Sequence, residues 1–392
     1  MNFNYHIPTK ILFGPGKLNE LAGEKLPGKK ALVVISAGGS IKKNGYLDRL
    51  LKIIRNQDLD YVVFDKILSN PIKEHVMEGA SLVKKTGCDF VIGLGGGSAI
   101  DSAKSISIMA KNPGDYWDYV SGGTGKGLAP TNGVLPIVAI TTTAGTGTEA
   151  DPWAVITNEA TNEKIGYGNS FTFPVLSVVD PELMLSVPQR FTAYQGFDAL
   201  FHSTEGFIAN IATPISDAYA LKSIELIAAY LPSAVRAGGN LKARTQVALA
   251  NTLSGMVEST SSCTSEHSME HALSAYHPDL PHGAGLIMLS EAYYTFFAAK
   301  VPDRFVAMAR AMGVNTESLP LEDRPRSFVK ALLKLQADCG VTDLKMSDYG
   351  IKKENLPKLA ENARQTMGGL FKVDPYPLTP EETVIIMNNA YK

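Results

Sequence analysis

Cysteine is scarce in this chain: Cys88, Cys263 and Cys339 are the only three in 392 residues. An odd number with no spacing pattern excludes a disulfide framework and points to a reduced, cytoplasmic setting. Cys263 lies near a group of histidines, but its expected role is that of a small buried filler rather than a nucleophile. Charge of one sign is lacking too, with 37 Lys and Arg against 39 Asp and Glu. The signs are mixed along the chain, which excludes a basic stripe for nucleic acid and a polybasic membrane anchor. Long hydrophobic runs are missing: the stretch from Leu286 to Ala299 is broken by Ser290 and Glu291 and is too short and polar to span a bilayer. The opening Met1 to His6 has neither the charged nor the apolar region of a signal peptide. No internal repeat, low-complexity tract or long linker is present.

What remains is 45% hydrophobic and 19% charged, the composition of a globular protein long enough for two domains. The first half alternates apolar β-rich runs with helical patterns. Lys30–Ile35, Tyr61–Phe64, Phe90–Leu94, Pro136–Ile140 and Val175–Val179 read as buried strands, with helices over Ile72–Lys85 and Ala99–Lys111. Such alternation predicts a parallel sheet covered on both faces. After Pro188 the period becomes helical through Thr192–Ile211, Ser216–Tyr230, Leu241–Glu258 and Ala284–Ala299, with no strand-like run between them. Thr379-Pro380-Glu381-Glu382 has the capping-box pattern that opens a final helix. The expected division is an α/β domain over 1–187 and an all-α domain over 188–392.

Five of the seven histidines, at 202, 267, 271, 277 and 282, lie between Gly196 and Gly283. Asp198 and His202 are four residues apart, as are His267 and His271, so on helices each pair shares a face. A single Asp–His pair among apolar neighbours such as Phe201 and Ile208 is usually a hydrogen-bonded core pair. Two such helices shift the reading to a metal, because a carboxylate facing a core costs several kcal/mol unless a cation or donors meet it. Neutral imidazoles with a carboxylate suit Fe2+ or Zn2+. His267-Ser268-Met269-Glu270-His271 also spells the H-x-x-E-H pattern of inverted zinc peptidases, a reading that leaves Asp198 and His202 without a role.

Gly95-Gly96-Gly97-Ser98 follows a buried strand and precedes a helix, where bare N–H groups and the positive helix end face any docked anion. Ser98 is a further donor and a candidate cap. The run is neither the common dinucleotide fingerprint nor a P-loop. A second polar run, Thr141 to Glu149, follows another strand and suits a ribose and a diphosphate edge.

With both halves in view, the sequence resembles the iron-containing (group III) alcohol dehydrogenases. The likeness is carried by Gly95 to Lys104, Thr142 to Glu149, Val179 to Leu183, Gly196 to His202 and the closing histidines, in order from Pro8 to about Tyr294. It implies a dinucleotide-binding domain, a helical domain, and a divalent metal and cofactor in the cleft between them. The ligands it implies are Asp198, His202, His267 and His282, with His277 an extra candidate in a loop one residue longer than the family's. The histidine near the reacting carbon falls on His271, and Trp153 falls near the nicotinamide. Cofactor contacts fall on Asn70, Gly95, Gly96, Gly97, Ser98, Asp101, Thr142, Thr143, Thr146 and Lys164. The segment 367–377 departs from the family's pattern.

A further cofactor loop, Ser36-Ala37-Gly38-Gly39-Ser40, carries Lys42 and Lys43 behind it and no acid. An NAD enzyme commonly sets a carboxylate against the ribose hydroxyls. Donors at Gly38, Gly39 and Ser40 without one suit a 2′-phosphate, and the loop looks like that of the NADPH-using butanol dehydrogenase and aldehyde reductase branch. The expected activity is hydride transfer between NAD(P)H, NADP(H) favoured, and a small alcohol or aldehyde, with Fe2+ ahead of Zn2+. A homo-oligomer is expected. The sister glycerol dehydrogenase and dehydroquinate synthase-like branches are the alternative within the same architecture.

Overall fold

The computed structural model describes residues 2–392. The chain forms two compact units. One comprises Ile7–Thr143 and Gly147–Ser186; the other comprises Val187–Lys392 with residues 144–146 and 2–6.

The first unit is built on a six-stranded sheet of β1 (Lys10–Phe13), β2 (Lys30–Ser36), β3 (Asp60–Ile67), β4 (Phe90–Gly95), β5 (Ile137–Thr141) and β8 (Leu176–Val179). Its order is β1-β8-β5-β4-β2-β3, and every pairing is parallel. Helices α1 (Tyr46–Asn56), α2 (Lys73–Thr86) and α3 (Gly97–Lys111) are the longer ones between the strands. β2 and β4 are nearly continuous apolar runs because parallel strands with covered faces are buried on both sides. Their registers align, Ala31 opposite Phe90 and Val34 opposite Gly93, so their carboxyl ends lie together. From β2 the chain moves out to β3, then crosses to β4 on the other side of β2. The carboxyl ends of β2 and β4 therefore flank the topological switch point, where open α/β sheets take their ligands.

Two pieces of this unit escape a reading by pattern. β1 is a four-residue, half-exposed edge strand. The hairpin β6 (Ala154–Asn158) and β7 (Glu163–Tyr167) is antiparallel and forms its own two-stranded sheet.

Among its described residues, the second unit contains helices and no strand. The helices that matter for chemistry are α4 (Gln189–Ile208), α5 (Pro214–Arg236), α6 (Leu241–Thr260), α7 (Ser265–Tyr276) and α8 (His282–Ala298). The last helix, α9 (Pro380–Ala390), has the capping box that its sequence predicts. Thr379 Oγ1 accepts from Glu382 N at 3.1 Å, and Glu382 Oε2 accepts from Thr379 N at 2.9 Å. Among the described residues no helix is long and apolar enough to cross a membrane.

Candidate active site

In the sheet unit, β4 runs into α3 through the glycine loop. Gly95 has φ of 155°, a backbone that favours glycine. A Cβ on Gly93 would lie 2.8 Å from Ile100 Cα, so only glycine lets the helix approach the strand this closely. A Cβ on Gly96 would lie 3.1 Å from both Thr143 Oγ1 and Cγ2. The loop and the Thr142–Thr143 turn are therefore side by side, and Thr142 N donates to Gly95 O at 2.9 Å. Across the switch point, Gly38, Gly39 and Ser40 are exposed, with Gly39 in the left-handed region before a short helix.

Gly96, not Ser98, occupies the N-cap, and Ser98 Oγ donates instead to Ser69 O at 2.5 Å. Asp101 is buried, and its carboxylate accepts from Thr148 Oγ1 at 2.7 Å and Val155 N at 3.0 Å. It fastens the hairpin to α3. Lys164 is likewise buried, within β7, whereas Asn70 and Thr146 are half-buried. Trp153 is exposed on the loop before β6. The loop behind β2 also has an acid beside it that its own sequence does not contain: Asp65 of β3 pairs with Lys42.

In the helical unit, three helices bring their polar groups to one point. Asp198 and His202 project from α4, His267 and His271 from α7, and His282 is the first residue of α8. Asp198 Oδ1 lies 3.4 Å from His282 Nε2, 3.7 Å from His267 Nε2 and 3.7 Å from His202 Nδ1. These separations are too long for hydrogen bonds. They match ligands held about 2.0–2.3 Å from a tetrahedral ion, which lie roughly 3.3–3.8 Å from one another. Asp198 Oδ1 and His267 Nε2 are buried with no hydrogen-bond partner. Such atoms are costly in a core unless a cation meets them.

The opposite side of two of these rings is anchored. His267 Nδ1 is held by Glu205 and His282 Nδ1 by Glu270, both carboxylates fully buried. His202 differs, because the same Nδ1 that lies 3.7 Å from Asp198 Oδ1 also lies 3.2 Å from Gly145 O. Anchoring the remote nitrogen fixes ring orientation and raises ligand basicity, the usual outer shell of a metal site. Glu205 also accepts from Thr264 N at 2.7 Å and Thr264 Oγ1 at 2.8 Å, setting where α7 begins. A Cβ on Gly283 would lie 2.2 Å from Tyr194 O, so glycine allows α8 to start against α4 and deliver His282.

The three ligand atoms of Asp198, His267 and His282 form one compact group. His202 borders it, its ring stacked on that of His267 at 4.4 Å, and forms a further group with His267 and Cys263. His271 Nδ1 lies 2.8 Å from Met367 Sδ, its ring 5.3 Å from that of His282. His277 lies apart at the C-cap of α7, facing Gly350. The segment 367–377 contributes more than its sequence suggests. Asp374 accepts from Ser265 N at 3.1 Å at the head of α7, and burial pushes its carboxyl up to about 7.

Protonation suits ligation at Asp198 and His202, whereas His267 holds a proton that an ion must displace. Burial opposes charge on Asp198, but the imidazoles of His202 and His282 hold it well below the carboxylate range. Burial drives His202 down to about 3, so it is the neutral imidazole a metal needs. Burial works against a proton on His267, yet the acidic groups of Cys263 and Glu205 raise it well above the usual value. Glutamine at Glu205 removes that anionic anchor at similar volume. The expected result is a metal affinity about 10–100-fold weaker, read by competition with a chromogenic chelator, with nucleotide binding unchanged.

A glycine loop at the switch point of a parallel sheet, with a carboxylate and imidazoles gathered on helices, defines a metal-dependent dehydrogenase. A family model described as iron-containing alcohol dehydrogenase matches residues 8–181, and one described as its C-terminal part matches 192–391. A 1,3-propanediol dehydrogenase of Citrobacter freundii is 36% identical, with 92% of each chain covered. An NAD-dependent methanol dehydrogenase of Bacillus methanolicus is 32% identical over 99% of each. A crystallised archaeal halo-thermophilic alcohol dehydrogenase from a Red Sea brine pool superimposes with a TM-score of 0.94 at 31% identity, covering 100% of this chain and 99% of its own. The chain belongs to the iron-containing alcohol dehydrogenase family. It is an NAD(P)-dependent oxidoreductase acting on alcohols, and the sister-branch and peptidase alternatives are not favoured. Glu270, the base of an H-x-x-E-H peptidase, is instead fully buried against His282.

Proposed function

We propose that the chain interconverts a small alcohol and its aldehyde with NADP(H), using one divalent ion, Fe2+ before Zn2+, held by Asp198, His202, His267 and His282. The observation that carries this is Asp198 Oδ1 set among three imidazoles, two of which have their far nitrogens anchored by the buried carboxylates of Glu205 and Glu270. When bound, the ion supplies Lewis acidity to the substrate oxygen and the nicotinamide supplies or accepts the hydride. His271, with its ring beside that of His282 and its Nδ1 against Met367, orients the substrate and carries its proton. Glu205 and Glu270 hold the rings in place.

For the cofactor, Gly95, Gly96, Gly97, Ser98, Asn70, Thr142, Thr143, Thr146 and Lys164 take the diphosphate, ribose and nicotinamide side. Gly38, Gly39 and Ser40 take the adenosine end, with Asp101 fastening the hairpin. Support for NADP(H) comes from the donors of this loop and the exposed Lys43. Lys42 is engaged with Asp65. The 1–187 and 188–392 division, a homo-oligomeric state and a cytoplasmic location complete the reading.

The test is an oxidation screen of NADPH and NADH over short aldehydes, with and without chelation. We expect kcat/KM for NADPH to exceed that for NADH by about tenfold, the worth of one charge-assisted contact. Chelation should abolish turnover. Equal rates with both dinucleotides would remove the phosphate reading, and chelator-insensitive turnover would remove the metal.

A further inference from the structure

Met367, in the segment 367–377 that departs from the family's pattern, touches the one histidine of the cluster that is not a ligand. The ring of His271 stands at the edge of the group, 5.3 Å from that of His282 and 6.3 Å from that of His267. Its Nδ1 lies 2.8 Å from Met367 Sδ. Met367 is half-buried and ends the helix over Leu356–Thr366, which lies along α7. Ser268 and His271, three residues apart, share a face of α7; Ala363 and Met367, four apart, share a side of the neighbouring helix. Ser268 is fully buried, and its Oγ donates to Ala363 O at 2.8 Å. Met367 N donates to the same carbonyl at 3.1 Å. One oxygen therefore fixes both α7 and the backbone of Met367, and the sulfur meets the ring at a set place.

A thioether has no hydrogen to give and only accepts. The hydrogen at this contact therefore belongs to Nδ1, and in the neutral ring the lone pair is left on Nε2. An imidazole with no acceptor at Nδ1 can carry its hydrogen on either nitrogen. Leucine at position 367 would fill nearly the same volume and accept nothing.

We propose that Met367 is a positioning residue that holds His271 in its Nδ1–H tautomer and so presents the Nε2 lone pair to the substrate hydroxyl. In alcohol oxidation the hydroxyl proton passes to Nε2, giving an imidazolium whose Nδ1–H still points at the sulfur. In aldehyde reduction the Nε2–H returns that proton to the substrate oxygen. This consequence for turnover rests on the role proposed for His271; the tautomer does not.

The test uses the full-length chain with isotope-labelled nitrogen at histidine Nδ1 alone, loaded with diamagnetic Zn2+ and held at about pH 8.5, where an ordinary imidazole is neutral. In the nitrogen magnetic resonance spectrum the wild-type His271 signal, assigned by its loss in His271→Gln, is expected to be of the hydrogen-bearing type. In Met367→Leu it should move toward the lone-pair type. There kcat in the aldehyde screen should fall about two- to tenfold, the size of one hydrogen bond, with KM for the dinucleotide unchanged. A wild-type signal of the lone-pair type overturns the proposal without recourse to the leucine variant. The same signal in wild type and Met367→Leu overturns it too, because a side chain that merely fills space leaves the tautomer where it was. If His271→Gln instead kept wild-type turnover while the wild-type signal was hydrogen-bearing, the proposed role of His271 would fail and the tautomer would stand.

Discussion

Replacing His267 with alanine is expected to lower kcat by about 10³-fold or more, the equivalent of several kcal/mol of Lewis-acid stabilisation. His267 has the most neighbours in the cluster. Its ring stacks on His202 at 4.4 Å, tilts against His282 at 5.3 Å and meets His271 edge-on at 6.3 Å. Its Nδ1 is bound to Glu205 and its Nε2 faces Asp198. Removing the imidazole takes away one ligand, leaves the Glu205 carboxylate facing a void and loosens the neighbouring ring. Metal content measured by plasma mass spectrometry should fall with kcat, while NADPH fluorescence still reports binding, because the glycine loop belongs to the other unit. A variant that kept its metal and most of its turnover would show that the ion sits elsewhere.

The larger features of this architecture are legible in the sequence for a simple reason: they are made of long runs with one period. The strands at Phe90–Gly95 and Ile137–Thr141 are buried throughout and read as unbroken apolar runs. The Asp198/His202 and His267/His271 pairs were visible through their four-residue spacing. What could not be read were contacts made by residues distant in sequence. Glu205 follows His202 by three residues, yet its partner is His267, 62 positions on. Asp374 reaches Ser265 across 109 positions. β1 is too short and exposed to show a pattern, and the β6–β7 hairpin shows no clean alternation, since β6 is buried at four of five positions. Its one sequence signal is Asn162, with φ of 51° at the turn, a residue type that tolerates the left-handed region. For Glu205 a signal did exist: a glutamate on an otherwise apolar turn of α4 demands a buried partner, and an imidazole nitrogen is the economical one.

The same demand governs the other large effect expected, in the sheet unit. Lys104 on α3 is fully buried. Its ammonium donates to Thr148 Oγ1 at 2.6 Å, Trp153 O at 2.7 Å, Asp151 O at 2.9 Å and Asp151 Oδ1 at 3.1 Å. Thr148 passes the chain on to Asp101. One cation therefore ties the loop 148–153 to the helix that begins at the glycine loop. Methionine at position 104 keeps much of the volume but strands two buried carboxylates, and should cost about 3–5 kcal/mol, the penalty for breaking a buried ion pair from one side. Burial raises Asp101 to about 6 and raises Asp151 as well, with the Lys104 charge opposing both shifts. Each carboxyl holds its proton more tightly folded than unfolded. Its favourable contribution is therefore present in acid and lost as pH rises from the ordinary carboxylate range through the folded value. Removing Lys104 widens that gap, so the penalty should be small at about pH 5 and full at about pH 8. Denaturant midpoints of wild type and Lys104→Met at the two pH values measure it. A penalty equal at both would mean that lost packing, rather than the stranded carboxylates, accounts for the damage.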